Sequence, residues 1–402
     1  MSTSKDKTSD FQAYQSQTTP HPLGLEISHA SGSYIYDVQG KAYLDFVAGV
    51  SAVSLGHSHP EVVAAVKQQA DRYMHVMVYG EFIQSPALDL CKALARALPD
   101  PLQTTYLVNS GTEAMEGAIK LARRVTGRSE LIAARNAYHG NTIGSLSLTD
   151  FEARKAPFRP LLPDIRHIDF NTTAALETIS SKTAAVILET IQGGAGFILP
   201  ESDYLRQVRR RCDETGALLI LDEIQPGFGR TGTLFAFEQF NCVPDILVMG
   251  KGMASGLPIG AFTASRAHMD TLQDPKLGHI TTFGGNPVVA AAALATLKVL
   301  QKTNLIADTL KKESLFRSYL VHPAISEIRG KGLMLALIME SAAVADYLVL
   351  EAQKEGLLLF WLLFEPRAVR ISPPLTLSEA EIKQGCTLIL RLLQRYENRG
   401  VN

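Results

Sequence analysis

Short apolar runs alternate with helical stretches through the middle of the chain. Thr104 to Val108 reads as a strand, and Thr112 to Thr126 as a helix with apolar positions at Met115, Ile119 and Ala122. Leu131 to Ala134 is a short strand, and Thr183 to Leu188 a strand of nearly continuous apolar character. Ser202 to Thr215 reads as a helix stopped by Gly216, followed by apolar strands at Ala217 to Leu221 and Ile246 to Met249. A strand with one wet face alternates apolar and polar residues. These strands do not alternate, which predicts an α/β layer whose mostly parallel sheet is covered on both faces. After about Pro287 the rhythm changes. A long helix, Val288 to Gln301, leads into mixed segments ending near Tyr396, predicting a second, smaller α+β domain.

Composition narrows the picture. A chain of 402 residues, 46% hydrophobic and 20% charged, has material for two globular domains. The net charge is −1, and the densest basic cluster, Arg209 to Arg211, lies on a mixed helix face, which argues against a nucleic-acid partner. The longest apolar run, Leu357 to Phe364, is far too short to span a bilayer and reads as a buried element. Met1 to Thr19 is polar, lacks the apolar core of a signal peptide and is expected to be a loose arm. Cys91, Cys212, Cys242 and Cys386 are scattered without metal-ligand spacing, so a reduced, cytoplasmic setting and no metal are expected.

Ligands of open α/β sheets bind at the carboxyl ends of the strands, and four candidate elements lie there. Asn109 to Ala114 joins a strand to a helix. Gly111 permits close approach and the helix N-terminus attracts phosphate, though Ser110 or Thr112 also suits an ordinary helix cap. Asp222-Glu223 directly follows an apolar strand. A carboxylate there can hold a pyridine nitrogen protonated, or serve in a salt bridge or as a metal ligand. Lys251 ends another buried strand between Gly250 and Gly252. Burial favours the neutral, nucleophilic amine, while a surface lysine is the plainer alternative. Thr281 to Pro287 places hydroxyls and glycines ahead of an Ala-rich helix, a second phosphate contact or another capped loop.

Together and in this order, the blocks resemble a class III aminotransferase of the ornithine, acetylornithine and 4-aminobutyrate type, with pyridoxal-phosphate fold type I. The resemblance runs from about Tyr34 to Glu381. It includes Gly56-His57-Ser58-His59-Pro60, Ser110 to Ala114, Tyr138-His139-Gly140, Leu221 to Gln225, Gly227 to Gly232, Lys251-Gly252 and Thr282 to Pro287. It implies pyridoxal 5′-phosphate as cofactor, carried by Lys251, which would also move the substrate's α-proton. Asp222 would pair with the pyridine nitrogen, Tyr138 would stack on the ring, and Gln225 would lie near the phenolic oxygen. Ser110, Gly111, Thr112 and His139 would complete the cofactor site, with Thr282 reaching the phosphate from a neighbouring subunit. A homodimer with shared active sites follows. The expected layout is an N-terminal arm and part of the small domain in residues 1–50, the large cofactor domain in 51–294 and the C-terminal small domain in 295–402.

The chain also departs from the pattern. Many members carry Arg after the aromatic-His-Gly triplet, where Asn141 stands, and Glu in a Gln-Gly-Glu turn, here Gln192-Gly193-Gly194. Arg370 is retained as the expected carboxylate anchor, with Asn141, Tyr79 and Thr281 beside the substrate. The expected reaction moves an amino group from an amino acid or ω-amine to 2-oxoglutarate or pyruvate by a ping-pong route. A racemase or decarboxylase on the same fold is the alternative. Gly227 to Gly232 also fits the G-x-G-x-x-G of a nicotinamide-dependent oxidoreductase, but Asp222 to Pro226 separate it from the preceding strand. His57 and His59 have no third ligand at useful spacing, so turn and packing roles are expected.

Overall fold

The computed structural model of the chain describes residues 4–201 and 203–399. A seven-stranded sheet runs in the order Thr104–Val108, Gly260–Ala264, Ile246–Met249, Leu218–Asp222, Thr183–Glu189, Glu130–Ala134, Ile165–Ile168. All are parallel except Gly260–Ala264, which pairs antiparallel with both of its neighbours. The five strands from Gly260–Ala264 to Glu130–Ala134 are buried at every residue. Successive side chains of a strand point to opposite faces, and here both faces are covered. Ile220 and Val248 pack with Met115 and Ile119 of the helix Gly111–Thr126. Leu219 and Leu247 belong to a larger core with Leu205 and Val208 of the helix Tyr204–Thr215. The mostly parallel α/β layer expected from the continuous apolar strands is therefore present.

Two smaller sheets flank this layer. Ile27–Ser31, Tyr34–Asp37 and Ala42–Asp45 form one, completed by Leu357–Leu358 from the other end of the chain. The second is antiparallel, in the order Ile325–Lys331, Met334–Met339, Ala368–Ile371, Phe360–Trp361. It carries Arg370 on an interior strand that is buried throughout.

One expectation fails at the N-terminus. The polar segment read as a loose arm is helical over Ser4–Tyr14, while residues 1–3 lie outside the described residues. The stretch contains neither Gly nor Pro, so nothing breaks its backbone ladder. Its side chains from residue 7 onward are exposed apart from Phe11, which explains why no apolar periodicity announced it.

Candidate active site

Three adjacent parallel strands end together. Glu189 closes one and Asp222 the next, in register with each other, and Gly250 and Lys251 follow Ile246–Met249. A cavity of about 320 Å³ opens at these ends. Of the residues expected from sequence, Gly111, Thr112, Tyr138, His139, Asn141, Asp222, Gln225, Lys251 and Arg370 line it. Ser110, Tyr79, Thr281 and Thr282 do not.

Asp222 is buried and held from two sides. Its Oδ2 lies 2.8 Å from Nδ1 of His139, and its Oδ1 accepts the Ile224 N–H at 3.0 Å. Burial pulls the His139 imidazole towards neutrality, but its bond and charge contact with Asp222 outweigh this and leave its pKa above the ordinary value. Nε2 of the same ring is buried without a partner among the described residues.

Lys251 adopts a φ of 43°, in the left-handed region that side chains rarely occupy, so the fold imposes backbone strain at this residue. Burial lowers its amine, and the nearby Arg370 lowers it further. Asp222 and Glu189 pull the other way, leaving a pKa of about 8. The neutral fraction near neutral pH is therefore larger than for an ordinary lysine, though the protonated form still dominates at pH 7.

Glu189 was not singled out from sequence. Its Oε2 accepts the Tyr138 N–H at 3.1 Å and its Oε1 accepts the Gly193 N–H at 2.9 Å, tying two lining loops to one strand end. Burial pushes its carboxyl up to about 7. The signal that drew attention to Asp222, an acid directly after an unbroken apolar strand, was present here as well.

Ser110 caps the helix Gly111–Thr126, its Oγ accepting the Glu113 N–H at 3.3 Å. Oε2 of Glu113 in turn accepts the Asn109 N–H at 2.7 Å. The capping use of Ser110 is thus realised, while the first helical residues, Gly111 and Thr112, face the cavity. The Thr112 hydroxyl sits 2.7 Å from both Thr142 Oγ1 and Ser145 Oγ.

Arg370 is buried, with Nε and Nη1 unpartnered among the described residues and its guanidinium 5.6 Å from the Phe197 ring centroid. Burial lowers its pKa to about 10, still charged at neutral pH. Across the cavity wall, a Cβ on Gly194 would stand 2.7 Å from the Phe364 ring. The Phe364 N–H donates to the Gly194 carbonyl at 2.9 Å. An aromatic ring, rather than an acid, fills the space beside that turn.

Tyr79 lies in a separate surface hollow with Phe82, Ile83 and Gly284. Thr281 Oγ1 accepts from Asn109 Nδ2 at 3.0 Å, and Thr282 is exposed. Gly227 to Gly232 opens no helix, and its Arg230 is buried, donating to the Leu333 carbonyl at 3.1 Å. His57 Nε2 lies 2.8 Å from Asp45 Oδ2.

The donor set suits pyridoxal phosphate. A helix N-terminus offers N–H groups to an anion, a buried carboxylate backed by imidazole can meet a ring nitrogen, and a partly neutral amine can meet a carbonyl carbon.

Comparison with known proteins agrees. The class-III aminotransferase family model matches residues 14–393. An acetylornithine aminotransferase of Mycolicibacterium smegmatis is 39% identical over 373 residues, 92% of this chain and 93% of its own. One from Methanothermobacter thermautotrophicus is 38% identical over 366 residues, 89% of this chain and 91% of its own. The crystal structure of the ornithine aminotransferase from Toxoplasma gondii superposes with a TM-score of 0.93 at 32% identity, covering 99% of this chain and 97% of that one. An (S)-enantioselective omega-transaminase from Thermomicrobium roseum gives 0.89 at 29% identity, covering 96% and 97%. The chain belongs to the class-III aminotransferases and is a pyridoxal-phosphate-dependent transaminase of fold type I.

Proposed function

We propose that this transaminase takes an amino group from an amino acid or an ω-amine and delivers it to 2-oxoglutarate or pyruvate in a ping-pong cycle, with Arg370 anchoring a carboxylate in both halves. The observation that carries this reading is the buried guanidinium of Arg370, whose Nε and Nη1 have no partner among the described residues, in the same cavity as Lys251 and Asp222. Gly194 brings no acid to mask it. Similarity to both acetylornithine aminotransferases and an omega-transaminase supports the breadth of donors.

When bound, pyridoxal phosphate supplies an aldehyde carbon for the amino group and a ring that delocalises the electrons left on the α-carbon. Lys251 would carry the cofactor and, as a neutral amine, would accept the α-proton. Asp222, oriented by His139 and the Ile224 N–H, would hold a proton on the ring nitrogen. Tyr138 would cover a ring face, Gln225 would approach the phenolic oxygen, and Ser110, Gly111 and Thr112 would form the phosphate end. Asn141 would border the substrate from this chain's cavity, and Thr281, which lies outside it, would do so on the loop that the partner subunit supplies.

The same reading makes the protein a cytoplasmic homodimer whose partner subunit supplies Tyr79 and Thr282. Both stand outside the cavity of their own chain, on a surface with exposed Phe82, Ile83 and Phe283. No described helix is long and apolar enough to cross a membrane, and the four cysteines are free.

Steady-state kinetics of Arg370→Ala test the anchor. Losing a buried charge-assisted pair costs on the order of 2–5 kcal/mol, so KM for carboxylate substrates should rise sharply while simple amines change little. Equal losses for both would make Arg370 a structural residue.

A further inference from the structure

The cavity wall continues outward to Arg154, in the short helical turn Glu152–Lys155. Its guanidinium carbon lies 5.7 Å from the Phe151 ring centroid and 5.5 Å from that of Phe364, and the two centroids are 5.5 Å apart. Nη2 also donates to the Leu363 carbonyl at 3.4 Å. Leu363 lines the cavity, and Phe364 stands against Gly194, another lining residue. Tyr138 lines it too. Burial pushes its hydroxyl up, and the charge of Arg154 is the foremost influence pulling it back. These contacts set Arg154 at the mouth of the active site.

Its charge is not neutralised there. Glu152, two residues away, is engaged by Arg159 at 2.7 Å and Lys155 at 3.9 Å. Glu365, next to Phe364, pairs with Arg367 at 3.1 Å. Arg154 itself makes no ion pair among the described residues. An arginine braced by aromatic rings is attracted to their faces and loses rotamer freedom, while its planar N–H edge stays available to a carboxylate. Inside the cavity, Lys251 is committed to the cofactor and Arg370 can hold one carboxylate. Asn141 adds no charge.

We infer that Arg154 is a second anion-binding residue of this active site, taking the distal carboxylate of a dicarboxylic amino acid or 2-oxo diacid whose other carboxylate lies on Arg370. The inference rests on the anchoring role proposed for Arg370. It makes the mouth the point at which diacids are told from monoacids of equal length. Because Arg154 is exposed, the preference should weaken as salt rises.

The test uses the holoenzyme and two unreactive five-carbon acids, glutarate and pentanoate, titrated while the cofactor's absorbance is followed. The wild type should bind glutarate more tightly. Arg154→Ala should weaken glutarate roughly fivefold, the size expected of a partly exposed charge-assisted pair, and leave pentanoate unchanged. Arg154→Lys, which keeps the charge and loses the plane, should fall between. A wild type without preference for glutarate, a preference that survives Arg154→Ala, or equal weakening of both acids would overturn the inference. Arg370→Ala reports separately. If it leaves both acids bound as before, the Arg370 anchor fails, while the comparison of wild type with Arg154→Ala still judges the mouth.

Discussion

At the residue scale, the site is built on placing charges where water is scarce. Lys251 lies between Arg370, which opposes its protonation, and Asp222 and Glu189, which favour it, with burial as the largest influence. An ordinary lysine titrates near about 10.4, so a pKa of about 8 shifts the neutral amine into the working range. The folded pKa is depressed, and the reactive form therefore accumulates above pH 8 rather than above pH 10. Capture of pyridoxal phosphate by the apoprotein should accelerate with pH around a midpoint near 8, followed by absorbance. Arg370→Ala removes a positive neighbour and should move that midpoint upward. A midpoint near 10 in the wild type would contradict the environment described for Lys251.

At the element scale, the proposed phosphate end depends on how closely two backbones meet. The antiparallel strand Gly260–Ala264 begins against the loop ahead of the helix Gly111–Thr126. A Cβ on Gly260 would stand 2.1 Å from the Ser110 carbonyl oxygen and 3.1 Å from the Gly111 nitrogen. Backbone cannot swing aside as a side chain can. Gly260→Ala should displace the Ser110–Gly111 loop, costing roughly 1–3 kcal/mol of stability as an overpacking substitution. It should also weaken cofactor binding, measured by dissociation of the cofactor at fixed temperature. Gly117→Ala provides the contrast. Its Cβ would meet the Phe262 ring at 2.3 Å, away from the loop, so stability should fall with a smaller loss of cofactor affinity. Equal cofactor losses in the two variants would reject a local role for Gly260. Sequence patterning found the apolar strands of the sheet, yet it passed over the parallel edge strand Ile165–Ile168, whose Ile-Arg-His-Ile is no apolar run, and Gly260–Ala264. Gly260–Ala264 is rich in small residues, and one of its two pairing partners, Thr104–Val108, is distant in sequence.

At the scale of the whole molecule, the single chain leaves apolar surface near unfilled roles. Ile83 is 90% exposed and Phe283 55%, more than an isolated soluble surface favours. The hollow that holds Tyr79 adjoins the Gly284–Gly285 turn of the Thr282 loop. If each site borrows this surface from a second copy, lesions in Lys251 and Thr282 should complement across chains. Co-expressed Lys251→Ala and Thr282→Ala chains, purified as hybrids through two tags, should hold one doubly damaged site and one intact site. Their activity should exceed the mean of the two parent dimers. Demonstrated hybrids without that recovery would reject shared sites.

The sequence by itself determined the identity of the chemistry. Lys251, Asp222 and the Ser110 to Thr112 turn are legible because strand ends, glycines and helix starts are local features, and a sheet buried on both faces leaves a local apolar signature. The order of those blocks then fixes the family. Tertiary structure alone decided the electrostatics and the walls. Asp222 meets His139 across 83 positions, Arg154 reaches the Leu363 carbonyl across 209, and Phe364 fills the space beside Gly194. Such contacts depend on how loops from separate elements pack over the strand ends, and no periodicity along the chain encodes them. The same cause separates Tyr79 from the cavity. Its segment lies over the outer strand Thr104–Val108 rather than above Lys251, a placement only the packing of the complete sheet could set.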